Sequence, residues 1–308
     1  MSRLPRVLHT LGDLRKWHHA HRKAGNSIGL VPTMGALHAG HLALLNQSLQ
    51  ENTASVASIF VNPSQFAPHE DLSQYPRTLD ADLVKIASMA EKIRQIDPKK
   101  DVVVFAPSVK EMYPSGIVLE RDRQIGTFVE VLGFSHQLEG SIRPHFFRGV
   151  ATVVTKLLHA AMPDVAYFGQ KDMQQCAVVK RMVSDLLFPT TISIGETFRE
   201  PNGLAMSSRN EYLSPETRQK ASIIYKALTD AKNAFDNGTT DRQALLEVVC
   251  KTLEGSDIID TIQYASLNDP ETLANLNTAS KGSVISTAVS IRDKDATKKL
   301  RLLDNIVL

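Results

Sequence analysis

The sequence has few cysteines, no long apolar run and no excess of charge of either sign. Its two cysteines, Cys176 and Cys250, form no Cys-x-x-Cys pair, which disfavours a disulfide framework or zinc ribbon and favours a reducing compartment. No apolar stretch approaches the roughly 20 residues that a membrane-spanning helix needs. With 35 basic and 33 acidic residues, the net charge is +2, without the basic excess typical of non-specific nucleic-acid binding.

The 16 glycines and 14 prolines are scattered along the chain, so the sequence has no low-complexity tract. It also has no internal repeat. Hydrophobic residues make up 43% and charged residues 22%, as in ordinary globular proteins. A length of 308 residues indicates about two domains. We therefore expect a cytoplasmic two-domain protein with no membrane or nucleic-acid partner. The basic N-terminus leaves a mitochondrial transit peptide as an alternative.

Short apolar runs alternate with helical patterns over the first two thirds of the chain. The runs predict strands at 28–31, 55–61, 102–105, 165–168 and 191–194, and helices at 42–50, 79–96, 150–162 and 173–187. Continuous apolar strands separated by helices are typical of a parallel sheet covered on both faces. The prediction is a doubly wound, Rossmann-like α/β domain over residues 1–197.

Residues 198–308 predict a smaller α+β domain. Ser214-Pro215 fits the N-cap and first position of a long helix that continues to about Phe235. The other predicted elements are helices at 241–253 and 270–276 and strands at 258–265, 283–291 and 300–307.

The first strand-to-helix turn contains His38-Ala39-Gly40-His41. Ligands of open α/β sheets bind beyond the carboxyl ends of the strands, and backbone N–H groups at a helix start bind phosphate. Gly40 permits close backbone approach, and both imidazoles can donate hydrogen bonds to phosphate oxygens. A bare His-x-x-His fits a metal pair or incidental turn histidines equally well, but its place between strand and helix favours a nucleotide triphosphate.

Three further polar segments are candidates. In 169–172, Lys171 could reach phosphates and Asp172 could bind ribose hydroxyls or support the helix start. Segment 206–209 has two hydroxyls and a guanidinium that could clamp phosphate. Asn62 and Gln65 follow a strand and could bind a small polar substrate. Taken alone, the three also fit a solvated helix end, a polar linker and an Asn-Pro turn.

Other features favour structural interpretations. His18 and His21 share a helix face that we expect to be solvated rather than metal-binding. Asp80 and Asp82 fit helix N-terminal acids, with at most a secondary Mg²⁺ contact. The sequence contains no Gly-x-Ser-x-Gly, Walker or Gly-x-Gly-x-x-Gly motif.

Six motifs in order resemble the pantothenate synthetase (pantoate–β-alanine ligase) family of the His-x-Gly-His nucleotidyltransferase superfamily. They span about residues 29–212 and are Pro-Thr-Met-Gly-x-Leu-His-x-Gly-His, Phe-Val-Asn-Pro-x-Gln-Phe, Tyr-Pro-Arg-Thr, Phe-Ala-Pro-Ser-Val-Lys-Glu-x-Tyr-Pro, Gly-x-Lys-Asp-x-Gln-Gln and Met-Ser-Ser-Arg-Asn. The resemblance implies that pantoate attacks the α-phosphorus of ATP, bound with Mg²⁺, and releases pyrophosphate. β-Alanine then attacks the pantoyl adenylate, which gives pantothenate and AMP.

The resemblance also implies roles for individual residues. His41 would be catalytic, and our interpretation of the turns adds His38 and Lys171. Gln65 and Gln175 would bind pantoate, Gln65 also lying near β-alanine, and we add Asn62. The implied ATP contacts are Met34, Gly35, Ala36, Leu37, His38, Ala39, Gly40, His41, Gly169, Gln170, Lys171, Asp172, Phe198, Met206, Ser207, Ser208 and Arg209. The family is typically homodimeric, and we expect residues 198–308 to form a lid domain.

Two segments depart from the family pattern. The family has Arg-Pro-Gly-His-Phe-Arg-Gly where this chain has Arg143-Pro144-His145-Phe146-Phe147-Arg148-Gly149, so no role of that histidine is carried over. Gln170 stands where glutamate is common. The alternatives are a nucleotidyltransferase that stops after transfer to a phosphorylated acceptor, and an inactive nucleotide-binding module. A tRNA synthetase is disfavoured by the small second domain and the near-neutral charge.

Overall fold

The structure is a computed structural model that describes residues 3–68, 70, 72–293 and 300–308. Its internal contacts divide the chain into two units. The N-terminal unit comprises Met1–Gly169 and Val178–Gly195, and the C-terminal unit comprises Gln170–Ala177 and Glu196–Leu308.

The N-terminal unit is built on a six-stranded parallel sheet with the order β1-β4-β3-β2-β5-β6. Its strands are β1 (Arg6–Leu8), β2 (Ile28–Thr33), β3 (Ala54–Ile59), β4 (Asp101–Phe105), β5 (Val165–Gly169) and β6 (Thr191–Gly195). The chain order reverses between neighbours β2 and β5, and such a switch point is where open α/β sheets bind ligands. The predicted parallel sheet is confirmed.

Helices connect these strands. They are α1 (Leu11–Lys23), α2 (Ala39–Glu51), α3 (Leu79–Ile96), α4 (Val109–Met112), α5 (Glu139–Ile142), α6 (Phe146–Ala161) and α7 (Met173–Asp185). α2 and α3 bury Leu45, Leu49 and Ile86 against Val104 and other strand residues. Because these apolar positions recur at helical spacing, one face of each helix covers the sheet.

The C-terminal unit has an antiparallel sheet of β7 (Ile259–Asn268), β8 (Val284–Ile291) and β9 (Leu300–Val307). The helices α8 (Pro215–Lys220), α9 (Ile223–Asp236) and α10 (Arg242–Glu254) accompany it. Every residue of the central strand β8 is buried. An apolar cluster joins the sheet to α9 and α10, as expected for a small α+β unit.

Two predicted helices in this unit are wrong. The long helix from Pro215 is interrupted after Lys220, where the Ser222 hydroxyl donates to the carbonyl of Gln219 at 3.0 Å, a side-chain bond that competes with the helical ladder. The short helix at 270–276 is a turn. There the Asp269 carboxylate accepts bonds from the backbone N–H groups of Glu271 and Thr272, because aspartate readily closes turns.

The solvated histidine face expected near residue 20 is also wrong. Trp17 and His18 of α1 are buried. The Trp17 indole donates to the Asp101 carboxylate at 2.9 Å, and His21 Nε2 lies 3.2 Å from the same carboxylate. Among the residues that the structure describes, no group of three histidine, cysteine, aspartate or glutamate side chains could hold a metal ion.

No helix within the described ranges is long and apolar enough to cross a membrane.

Gly149 lies where α6 crosses the backbone that follows β3. A Cβ at this position would come within 2.3 Å of the Ser64 carbonyl oxygen. Gly149→Ala should therefore lower the free energy of unfolding by about 1–3 kcal/mol, as overpacked sites do, measured by denaturant titration. Gly12→Ala is the control, because its Cβ would meet only Thr10 Oγ1 at 3.8 Å. Equal stability of the two variants would contradict the close crossing.

Candidate functional site

The turn after β2 requires two consecutive left-handed residues. Gly35 has φ of +86° and Ala36 has φ of +50°. The Thr33 hydroxyl accepts a bond from the N–H of Gly35 at 3.2 Å and donates to the Ser58 carbonyl at 2.7 Å. The left-handed conformation that favours glycine therefore occurs at Gly35. Gly40 lies inside the first turn of α2.

Two side chains of α3 hold this turn in place. The Asp82 carboxylate, which is fully buried, accepts the N–H groups of Ala36 at 3.0 Å and Leu37 at 2.8 Å. Lys85 Nζ donates to the carbonyl of Leu37 at 2.6 Å and lies 4.0 Å from the Asp82 carboxylate. Asp82 lies in the first turn of α3, as expected, and it also fixes the backbone of residues 36–37.

His38 and His41 lie side by side at the start of α2. His38 is the N-cap residue, and the two ring centroids are 4.0 Å apart with a 31° tilt. The backbone N–H of His38 donates to His41 Nδ1 at 3.4 Å. Because Nδ1 accepts this bond, the proton of a neutral His41 lies on Nε2. This tautomer makes the His41 Nε2–H a hydrogen-bond donor.

Asn62 and Gln65 lie in a buried turn that follows β3. Pro63–Gln65 is a 3₁₀ turn with Asn62 at its N-cap. The Asn62 side chain is 1% exposed and Gln65 is 8% exposed. Asn62 Nδ2 donates to Gln65 Oε1 at 2.8 Å, so the structure joins the two predicted substrate residues directly.

Segment 143–149, which departs from the family pattern, places Arg143 beside this turn. Arg143 forms two hydrogen bonds to the Glu70 carboxylate, at 2.8 and 2.6 Å, and one to the Gln65 carbonyl at 3.2 Å. Burial alone would lower the pKa of Arg143, but the bonds and charge of Glu70 and Glu139 outweigh it and raise the pKa. The Phe146 ring, where the family pattern has histidine, lies 4.1 Å from the guanidinium carbon, within cation–π range.

In the C-terminal unit, Asn305 of β9 holds the segment at the start of α7. Asn305 Nδ2 donates to the carbonyls of Gln170 at 2.9 Å and Lys171 at 2.7 Å, and its Oδ1 accepts from Gln170 Nε2 at 3.2 Å. A glutamate at 170 could not donate this last bond while ionised. Lys171 Nζ lies 3.2 Å from the Asp172 carboxylate, and Gln175 lies half-buried further along α7.

The loop with Phe198 and residues 206–209 belongs to the same unit. The N–H of Met206 donates to the carbonyl of Phe198 at 2.8 Å, and Phe198 is 45% exposed. Ser207 caps a 3₁₀ turn, Ser208–Tyr212, by accepting the N–H of Arg209 at 3.3 Å. The loop is therefore ordered by its own backbone and by a side-chain cap.

Glu200 ties this loop to α8. Its carboxylate accepts bonds from Asn210 at 2.8 Å and from Arg218 at 2.9 Å. Burial would raise the pKa of Glu200, yet the bonds from Arg218 and Asn210 keep it below its ordinary value.

Sequence patterns missed three residues that position these segments: Asp82 as a holder of the β2 turn, Tyr113, and Asn305. Tyr113 follows α4 and its hydroxyl donates to Asn62 Oδ1 at 2.6 Å. The only sequence signal for Tyr113 was its place in a family motif, and Asn305 had none.

A sequence profile of the pantoate–β-alanine ligase family matches residues 6–307. This chain belongs to that family. A member from Saccharomyces cerevisiae, named pantoate–β-alanine ligase, is 43% identical over 98% of this chain and 100% of its own length. The pantothenate synthetase of Herpetosiphon aurantiacus is 43% identical over 98% of this chain and 99% of its own.

Solved structures of family members share the fold. Pantothenate synthetase from Thermus thermophilus superposes with a TM-score of 0.80 at 38% identity, covering 98% of this chain and 99% of its own. The Francisella tularensis pantoate–β-alanine ligase, complexed with β-γ ATP and β-alanine, has a TM-score of 0.71 at 30% identity, covering 98% and 97%.

Asp82→Asn should loosen the turn after β2. One backbone N–H would then face an amide N–H instead of a carboxylate oxygen, and a lost bond to a charged group costs about 1.5–3 kcal/mol. We expect faster hydrogen exchange at the amides of Ala36 and Leu37, measured by NMR or mass spectrometry. Asp80→Asn, an exposed acid of the same helix turn, is the matched control. Unchanged protection in Asp82→Asn would refute the role of this carboxylate.

Proposed function

We propose that this protein is an ATP-dependent ligase that condenses pantoate with β-alanine to pantothenate, through a pantoyl-adenylate intermediate, with release of AMP and pyrophosphate. The observation that carries the proposal is the family match over residues 6–307. The parallel sheet, whose β2 turn leads to two histidines at the start of a helix, supports it. The ATP and β-alanine complex of the Francisella relative also supports these substrates.

The chemistry fits the types of residue present. A carboxylate such as that of pantoate is ionised at neutral pH, so the first step needs no nucleophile from the protein. The enzyme has to align the carboxylate with the α-phosphorus and stabilise the charge that develops on phosphate. Neutral N–H donors and cations meet that need, and a His41 with its proton on Nε2 is such a donor.

We assign roles on this basis. His38, His41 and Lys171 are proposed as catalytic donors to phosphate, and Gln65 and Gln175 as pantoate ligands. The hydrogen-bonding positions of Asn62 are already filled within the protein, so we propose that it acts through Gln65. The proposed ATP contacts are the segments 34–41, 169–172 and 206–209, together with Phe198.

Other features of the function also stay proposals. We propose that Mg²⁺ enters with ATP, bound to its phosphates, as is usual for this ion. The homodimer follows from the family resemblance. A cytoplasmic location rests on two widely separated cysteines. The division into an ATP- and pantoate-binding domain at 1–197 and a lid domain at 198–308 is likewise proposed.

An omission assay tests the proposed reaction. With ATP, Mg²⁺, pantoate and β-alanine present, AMP and pyrophosphate should form in equal amounts. Without pantoate neither should form, and without β-alanine pyrophosphate release should stop after about one equivalent per site, because the adenylate is held in the site. Steady pyrophosphate release without an amine would instead indicate a nucleotidyltransferase, and ATP binding without turnover an inactive module.

His41→Ala should slow pyrophosphate release by about 10²–10³-fold, as loss of a donor to developing charge does. The measurement is a single-turnover assay of the first step with saturating ATP and pantoate. His19→Ala removes an exposed imidazole from α1 and should leave the rate unchanged. A His41→Ala rate near that of the parent would reject the assignment.

A further inference from the structure

A buried hydrogen-bond network lies behind Gln65 in the N-terminal unit. It joins the turn after β3 to Tyr113, which is 4% exposed, and to α6 through the carbonyl of Gly149. Its other members are Asn62 and Ser64. Tyr113 is not among the residues proposed as catalytic donors, pantoate ligands or ATP contacts.

The orientation of the Asn62 amide is set by its partners. Nδ2 lies 3.2 Å from the carbonyl oxygen of Gly149, which can only accept, so the NH₂ group must face it. Oδ1 lies on the other side, where it accepts from the Tyr113 hydroxyl at 2.6 Å. The Ser64 hydroxyl lies 3.1 Å from the same Oδ1 and 2.8 Å from the Tyr113 oxygen, and its single proton is donated to one of these two oxygens. A reversed amide would place two carbonyl oxygens against each other.

This orientation fixes the polarity of Gln65. The second hydrogen of Asn62 Nδ2 is donated to Gln65 Oε1 at 2.8 Å. Gln65 must therefore present its own oxygen to Asn62 and its NH₂ group to the remaining side. Among the described residues, none accepts a bond from Gln65 Nε2. Two N–H donors suit an anionic carboxylate, which an amide oxygen would repel.

The Tyr113 hydroxyl is suited to hold Asn62 in this state. Burial raises the pKa of Tyr113 to about 12, so the phenol remains a donor throughout the neutral range. Lys156 Nζ lies 3.8 Å from the ring centroid and donates to the Met112 carbonyl at 2.7 Å. The Tyr113 ring therefore lies between the Lys156 ammonium and the turn after β3, and its hydroxyl is directed at Asn62.

We propose that Tyr113 is a positioning residue: through Asn62 it holds the Gln65 side-chain amide with its NH₂ group directed to the carboxylate of the acid substrate. The inference rests on the proposed function, in which Gln65 binds pantoate. Tyr113 itself touches no substrate in this arrangement, so its effect passes through the orientation of one amide.

Tyr113→Phe removes the hydroxyl and retains the ring. We expect the KM for pantoate to rise about tenfold, the size of one hydrogen bond's contribution. The KM for ATP and the kcat should stay within about twofold, because the change is confined to pantoate binding. Steady-state kinetics with each substrate varied in turn measures this split.

Tyr167→Phe is the matched control. Tyr167 is also buried in the N-terminal unit and its hydroxyl accepts a bond from an asparagine, Asn52, at 2.7 Å. Both variants should lose thermal stability, measured by calorimetry, but only Tyr113→Phe should change the KM for pantoate. An equal rise of this KM in the control would make the effect structural and overturn the proposal.

A double-mutant cycle tests whether Tyr113 acts through Gln65. In a Gln65→Ala background, Tyr113→Phe should change the KM for pantoate by less than about twofold, since coupled residues are non-additive. Full additivity would overturn the proposal. If Gln65→Ala raises this KM and Tyr113→Phe does not, only the inference fails. If Gln65→Ala leaves it unchanged, the proposed role of Gln65 fails first and the inference with it.

Asn62→Asp is a second variant that keeps the test decisive if Tyr113→Phe does not fold. A carboxylate at this position would accept from Gln65 Nε2 and turn Gln65 Oε1 toward the substrate. The expected KM for pantoate is then higher than in Gln65→Ala. A KM equal to or below that of Gln65→Ala would show that amide polarity does not matter.

Discussion

One buried carboxylate holds the turn on which the histidines depend. Asp82 is fully buried, and a charge in that position is stable only when it is bonded on several sides. It meets this condition with two backbone N–H groups of the β2 turn, the Thr78 hydroxyl at 3.2 Å, and the nearby Lys85 ammonium. The same bonds offset the cost of the left-handed Ala36 and set where α2 begins.

Buried asparagines serve a related purpose in both units. Asn62 bonds a backbone carbonyl and the Gln65 side chain in the N-terminal unit, and Asn305 bonds two consecutive carbonyls before α7 in the C-terminal unit. A side-chain amide both donates and accepts, so it can fix a loop and the polarity of its neighbour together. Loops that carry functional groups need such support, because their own backbone bonds do not specify one position.

Sequence patterns predicted the parts of the structure that depend on local signals. The helix α3 and the strand β9 have the predicted bounds, because apolar spacing and the flanking polar residues mark them directly. The break after Lys220 and the turn at Asp269 depend on single side-chain bonds to nearby backbone, which periodicity does not register. The residues that position the candidate site are distant in sequence from the segments they bond. Asp82 bonds residues 45 and 46 positions away, and Asn305 bonds residues 134 and 135 positions away.

The chemistry of acyl adenylation explains why the polarity of neutral groups matters here. A carboxylate that attacks phosphorus brings negative charge toward negative charge, so each group around it has to present hydrogen rather than oxygen. Lysine and arginine do this at any orientation, but glutamine and histidine do it only in one of two states. His41 is held in one state by the His38 N–H, and Gln65 by Asn62. The hydrogen bonds to His41 and Gln65 from within the protein therefore decide whether these side chains attract or repel the substrate carboxylate.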